Sequence, residues 1–297
     1  MTAIVRAAHA KVNVFLRVLG RRDDGYHDIE TLILPISLHD RITVEPADDL
    51  SVEVSGGPPG AVPAGDENLA LRAAQALAAE IRDPSSRGAR ISIEKRIPVA
   101  AGLGGGSADA AATLLALDEL WSLGADRDAL ARIALTVGSD VPALLLGEPA
   151  YVRGRGEIVE PVLLQPTTWV LKPFDVGISS TDAYGWWDEQ PVTGPDPGAL
   201  IAAAESGNDT LVGSALFNDL QGPVAGRHPE VVSAIEAFLG AGALGAVMSG
   251  SGPTVVALAP FAWAPDLAGA IPGAIVAAAP PEPAPPARIG PDPSGVV

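Results

Sequence analysis

The chain has no cysteine among its 297 residues, which excludes disulfides, thiolate metal sites and thiol catalysis. Basic residues are scarce. The 19 lysines and arginines are outnumbered by 36 acidic residues, for a formal net charge of −17, so nonspecific attraction to nucleic acid or anionic lipid is disfavoured while a local basic site stays compatible. No apolar run is long enough to span a bilayer, because Gly, Pro or a charge breaks each candidate. Arg6, His9 and Lys11 likewise interrupt the N-terminal stretch where a signal peptide needs an unbroken apolar core. Internal repeats are not evident. These absences predict a soluble, cytoplasmic protein with neither nucleic acid nor a membrane as its partner.

What is present is the composition of a folded chain, 47% hydrophobic and 19% charged, and a length that fits two domains. Ala10, Val12, Val14, Leu16 and Val18 alternate with Lys11, Asn13, Phe15 and Arg17, which predicts a strand with one buried face and Lys11 on the other. Turn chemistry at Asp24-Gly25 separates it from more strand material in TLILPISLHDRITVEP. Asn68 opens a helical pattern through Leu69, Ala73, Ala76 and Leu77, and RISIEKRIPV alternates again. ARIALTVGSDVPALLLG predicts a helix and YVRGRGEIVEPV a strand pair. Pro and Gly between Gln190 and Gly198 mark a loop; HPEVVSAIEAFLGAG predicts a helix, and ALGAVMSGSGPTVVALAP two strands around a glycine turn. Strands and helices mix without a strict βαβ rhythm, so the expected fold class is α+β. The proline-rich tail, 279–297, is expected to be disordered.

The most informative stretch is PVAAGLGGGSADAAATLLALDEL, where a glycine run opens a long helical pattern with Ala110, Leu114, Leu117 and Trp121 on one face. Glycines before a helix let the backbone approach an anion closely, and the free N–H groups and dipole of the helix end favour phosphate. Ser107 or Asp109 is expected to cap the first turn. A P-loop would need lysine at the end of the run, which is absent, and the dinucleotide fingerprint finds Ser107 where its last Gly or Ala belongs. A plain structural turn is the alternative for the loop.

The segment Pro98-Val99-Ala100-Ala101-Gly102-Leu103-Gly104-Gly105-Gly106-Ser107-Ala108 resembles the phosphate-binding motif of the GHMP kinases, the galactokinase, homoserine, mevalonate and phosphomevalonate kinase family. AKVNVFLRV near the N-terminus resembles the first motif of that family and GAVMSGSGPTV the third. GRRDDGYH resembles the members whose acceptor is a cytidine diphosphate alcohol of isoprenoid precursor synthesis. Ala108 departs from the family, since a second serine is common there. The resemblance implies a two-domain α+β fold, 1–155 binding ATP and 156–278 completing it, with ATP, Mg2+ and substrate in the cleft between them.

It further implies phosphoryl transfer to an alcohol, with Lys11 orienting the acceptor hydroxyl, Asp140 acting as base and Asn13 holding the hydroxyl or a phosphate oxygen. On pattern alone Lys11 is a solvated charge and Asp140 a helix N-cap. The glycine segment through Asp109, with Lys95 and Asn68 near the nucleoside, is implied to hold ATP, although Lys95 also reads as a strand-edge charge. Tyr26 and His27, with Thr181, Tyr184, Gly250 and Ser251, are implied on the substrate side, Tyr184 as an aromatic face opposing Tyr26. Trp186 and Trp187 read as packing residues or a loop anchor. No carboxylate is evidently placed for magnesium, so metal ligands stay unassigned. A homoserine- or mevalonate-type acceptor, and a catalytically silent nucleotide-binding protein, are the alternatives.

Overall fold

The alternating N-terminal segment lies in an 18-residue strand, β1 (Ile4–Arg21), of a computed structural model that describes residues 3–57, 62–63, 65–80 and 88–281. Across the Asp24-Gly25 turn it pairs antiparallel with β2 (His27–Ala47). The alternation predicts one buried face, but the structure buries both: Lys11, Asn13 and Phe15 are 4%, 3% and 1% exposed. Register shifts between His9 and Lys11 and between Asn13 and Phe15 explain why. An inserted residue flips the side-chain parity. Val14 and Phe15 thus join one core, while Leu16 and Val18 enter a second.

The chain continues through β3 (Leu50–Gly56), α1 (Leu69–Ala79), β4 (Gly88–Lys95), α2 (Gly105–Leu120), α3 (Arg127–Val137), α4 (Val141–Leu146), β5 (Ala150–Gly154) and β6 (Ile158–Pro161). These strands form a sheet in the order β3-β4-β2-β1, with the β5–β6 hairpin joined to the other end of β2. Helix α2 lies against β1 and β2 with α1, α3 and α4 around it. Ala110, Leu114 and Leu117 are fully buried as the stripe predicts, and Ala108, Ala111, Ala112 and Ala116 are buried too, because alanine lets neighbours close in on the remaining sides.

Next come β7 (Thr167–Lys172), α5 (Ser180–Asp188), α6 (Gly198–Ser206), α7 (Asp209–Ser214), β8 (Phe217–Asn218), α8 (Gln221–Ala225), α9 (Pro229–Gly240), β9 (Gly245–Met248), β10 (Val255–Ala259), α10 (Ala264–Ala270) and β11 (Ile275–Ala279). A second, antiparallel sheet has the order β11-β7-β10-β9. The two-residue β8 pairs parallel with Phe15 and Leu16 of β1, so the C-terminal half returns to the first sheet.

Several expectations are corrected. ARIALTVGSDVPALLLG forms two helices, because the backbone is extended at Gly138 and Pro142, without an N–H, suits the first turn of α4. The expected division at residue 155 falls inside the β5–β6 hairpin, and the first sheet runs on to Pro161. Ala279, assigned to the tail, is the buried last residue of β11; residues 282–297 of that tail lie outside the described residues. Among the described residues no helix is long and apolar enough to cross a membrane.

Candidate active site

Helix α2 has no side-chain cap. Gly104 occupies the N-cap with φ 66° and no side-chain hydrogen bond, so the expected caps Ser107 and Asp109 do not fill that role. Glycine is required: the conformation is left-handed, and a Cβ would stand 2.9 Å from Cγ and Cε of Lys11. Ala108 is the first residue to hydrogen-bond back, to Gly104 O at 2.9 Å, which leaves the N–H groups of Gly105, Gly106 and Ser107 pointing from a positive helix end. They open onto a cleft of about 980 Å³ that is lined by each site residue anticipated from the sequence except Ala108. Ala108 faces the other way, into a separate cavity behind α2.

Lys11 is a buried centre of contacts, not a solvated charge. Its Nζ donates to Asn13 Oδ1 at 2.5 Å and Gly102 O at 3.1 Å, and lies 3.3 Å from Asp140 Oδ2. Asp140 does stand at the N-cap of α4, but its side chain makes no capping bond and is 36% exposed, open to the cleft. Asn13 has less freedom than anticipated: Oδ1 serves Lys11, and Nδ2 donates to Thr31 Oγ1 at 2.8 Å. It orients the lysine. The backbone N–H of Asn13 donates to Ser249 Oγ, which donates to Gly102 O, tying β1, the α2 loop and the turn after β9 together. Asn218 holds that turn by donating to Met248 O and Gly250 O. At Gly250 a Cβ would meet Asn13 Oδ1 at 2.9 Å, so only glycine lets the turn close on Lys11.

At the other end of the cleft, His27 stacks on Tyr184, ring centroids 4.7 Å apart, with the edge of Trp187 against it. Tyr184 and Tyr26 both line the cleft, and the half-exposed Tyr26 ring carries the Arg155 guanidinium 4.8 Å from its centroid. His27 Nε2 lies 2.8 Å from Asp188 Oδ1, which leaves Nδ1 for a ligand. Burial, with the Asp140 charge adding to it, raises the Tyr184 phenol above its ordinary value, so it stays a proton donor. Trp187 is buried and donates to Val192 O, anchoring the 190–198 loop, and Trp186 lies beneath the Arg227 guanidinium. Thr181 and Ser251 are at the cleft wall.

Lys95 is not a free cation. Its ammonium is buried between Asp40 and Asp109, both buried themselves. Asn68, also on the cleft, caps α1 by accepting from the N–H groups of Ala70 and Leu71. Asp40, Thr31, Arg155, Asp188 and Asn218 escape the sequence reading, because nothing in their local pattern distinguishes them from ordinary strand or loop residues; Ser249, inside GAVMSGSGPTV, is given no role by it. Among the described residues no three His, Cys, Asp or Glu side chains gather to hold a metal ion. The donor set thus makes no protein cage for magnesium, and a nucleotide would have to carry it.

Comparison with known proteins agrees with this geometry. Residues 68–148 match the GHMP kinase N-terminal domain and residues 200–274 the GHMP kinase C-terminal domain. The chain is 48% identical over 257 residues to the 4-diphosphocytidyl-2-C-methyl-D-erythritol kinase of Symbiobacterium thermophilum, covering 85% of this chain and 89% of that one. It is 42% identical to the protein of the same name from Thermobifida fusca, covering 91% and 92%. A crystal structure of 4-(cytidine 5'-diphospho)-2C-methyl-D-erythritol kinase superposes with a TM-score of 0.77 at 37% identity, over 93% of this chain and 99% of that one. Homoserine kinase from Cytophaga hutchinsonii, at 21% identity and a TM-score of 0.73, shares the fold over 94% and 95%. With both domains matched and the motifs meeting in one cleft, the chain belongs to the GHMP kinases.

Proposed function

We propose that the protein transfers the terminal phosphate of ATP to the 2-hydroxyl of 4-diphosphocytidyl-2-C-methyl-D-erythritol, giving the 2-phosphate and ADP, in cytoplasmic isoprenoid precursor synthesis. The observation that carries this reading is the meeting, in one cleft, of an uncapped helix end, the Lys11–Asp140 pair and the Tyr26–His27 corner. The relatives named for that reaction, 41–48% identical, support this acceptor over homoserine or mevalonate.

The nucleotide supplies the activated phosphate and brings its own magnesium. Asp140 Oδ2, open to the cleft, accepts the proton of the acceptor hydroxyl. Lys11, 3.3 Å away, faces the charge that develops on the hydroxyl oxygen. Asn13 and Gly102 O hold the ammonium in place, so little reorganisation is needed during the step. The N–H groups of Gly105, Gly106 and Ser107 take the charge of the phosphate oxygens. Tyr26 presents a face for the cytosine ring and His27 Nδ1 a hydrogen-bonding edge. Positioning and electrostatics supply most of the rate, and the base adds ~10²–10⁴-fold.

The test is ADP release with ATP and magnesium, offering the cytidylated alcohol, homoserine and mevalonate in turn, with Asp140→Asn run alongside. Turnover confined to the cytidylated alcohol and lost in the variant is expected. Turnover with another alcohol would replace the acceptor, and nucleotide binding without turnover on any of the three would favour a silent binding protein.

A further inference from the structure

The Asp40–Lys95–Asp109 cluster takes no part in the transfer step, yet it lies directly beneath the loop. A Cβ at Gly105 would stand 3.3 Å from Lys95 Nζ, and Lys95 and Asp109 both line the cleft. Two carboxylates share this one ammonium, so with all three groups ionised the cluster carries a surplus negative charge under a site for anions. The two carboxylates are unequally served. Asp40 Oδ1 accepts from the N–H groups of Arg96 and Ile97 at 2.5 and 2.8 Å, and its Oδ2 from Lys95. Asp109 has Lys95 as its one donor, 2.7 Å through Oδ2, the Asp40 carboxyl also lies against it, and its Oδ1 is buried with no hydrogen-bond partner. A carboxylate with one bare buried oxygen is costly while ionised, and a proton removes that cost.

We propose that Asp109 is a proton-carrying positioning residue whose carboxyl takes up a proton as a polyphosphate settles on Gly104–Ser107, so that the base of the loop is neutral once the anion is in place. The inference rests on the loop being the nucleotide site. Burial pushes the Asp109 carboxyl up to about 7, Lys95 opposing and Asp40 reinforcing the shift. Among the described residues Lys95 from β4 and Asp40 from β2 are the charged groups acting on it; Lys11 of β1 lies across Gly104. A bound phosphate raises it further, so nucleotide affinity weakens as pH rises above about 7, while below about pH 6 the proton is already present and binding is pH-neutral at this group.

Calorimetric titration with the magnesium complex of a non-hydrolysable ATP analogue, in buffers of different ionisation heat, counts the protons taken up. Expected are several tenths of a proton at about pH 8, close to none at about pH 6, and none at either pH in Asp109→Asn, whose amide mimics the neutral carboxyl. Infrared difference spectra of the wild type give the same answer without a variant: a protonated-carboxyl band appears on binding at about pH 8. Binding without proton uptake, or equal uptake in wild type and Asp109→Asn, overturns the proposal and leaves the nucleotide site standing. Failure of the analogue to bind at all overturns the reading of the loop itself.

Discussion

Lys11 and Lys95 flank the same glycine loop and are about equally buried, 4% and 6% exposed, but differ in what surrounds them. Lys11 is held by two neutral oxygens and one carboxylate that opens to the cleft; Lys95 is enclosed by two carboxylates that are themselves buried. The first pair meets the cleft through a carboxylate that a ligand can reach. The second fixes β2, β4 and α2 to one another and sets the charge beneath the loop. A buried lysine is therefore assigned to chemistry or to architecture by the exposure of its partners, not by its own.

Removing each ammonium or partner separates the two roles. Lys95→Met should have the largest effect, since it leaves two buried carboxylates facing each other without a cation: a loss of about 3–5 kcal/mol in urea unfolding, or failure to fold. A loss below about 1 kcal/mol would remove Lys95 from the architecture. Asp140→Asn should leave the unfolding midpoint nearly unmoved and lower kcat by ~10²–10⁴, with analogue affinity changed little. A comparable fall in stability would erase the contrast between the two lysines.

Asp109→Asn should act through pH. The folded Asp109 carboxyl, at about 7 against an ordinary 3.8, makes the ionised form the disfavoured one. Stability present below about pH 4 is therefore lost as pH rises toward about 7, a decline on the order of 1–3 kcal/mol that the variant should lack. Parallel unfolding midpoints for the two proteins across that window would contradict it. Ser249→Ala, which unties Asn13 from Gly102, should cost about 1–2 kcal/mol of stability and lower kcat more than it raises KM for ATP. The smallest effect expected is Tyr26→Ala, with KM for the cytidylated acceptor rising about tenfold and KM for ATP holding steady.

Much of the site was legible because its motifs are local. Three glycines in a row before an alanine-rich helix carry their meaning in backbone freedom, and the cleft is lined by Pro98 through Ser107 and by Asp109. Lys11, Asn13, Tyr26, His27 and Asp140 were singled out through motif likeness, and the structure lines one cleft with them; the alternation of β1 by itself gave Lys11 to solvent. Asp40 was not legible. In LHDRITV it reads as an ordinary strand residue, and only the pairing of β2 with β4 brings it to Lys95. Arg155 and Tyr26 are far apart in the chain, and the β2–β5 pairing brings their segments together, so no local pattern connects them.

The amino-acid sequence by itself determined the class of chemistry: no thiols, a glycine-rich helix start of the kind that suits an anion, and a lysine and an aspartate in recognisable contexts. It also set the main strands and helices of the N-terminal half, where the hydrophobic periods are long. Tertiary structure decided which charges are free. The bulges in β1 turned both of its faces inward, the small C-terminal helices formed against the second sheet, and Lys95 was given to two buried carboxylates. The physical reason is that periodicity reports burial on one face of one element, whereas the state of a charge depends on groups contributed by several elements distant in sequence.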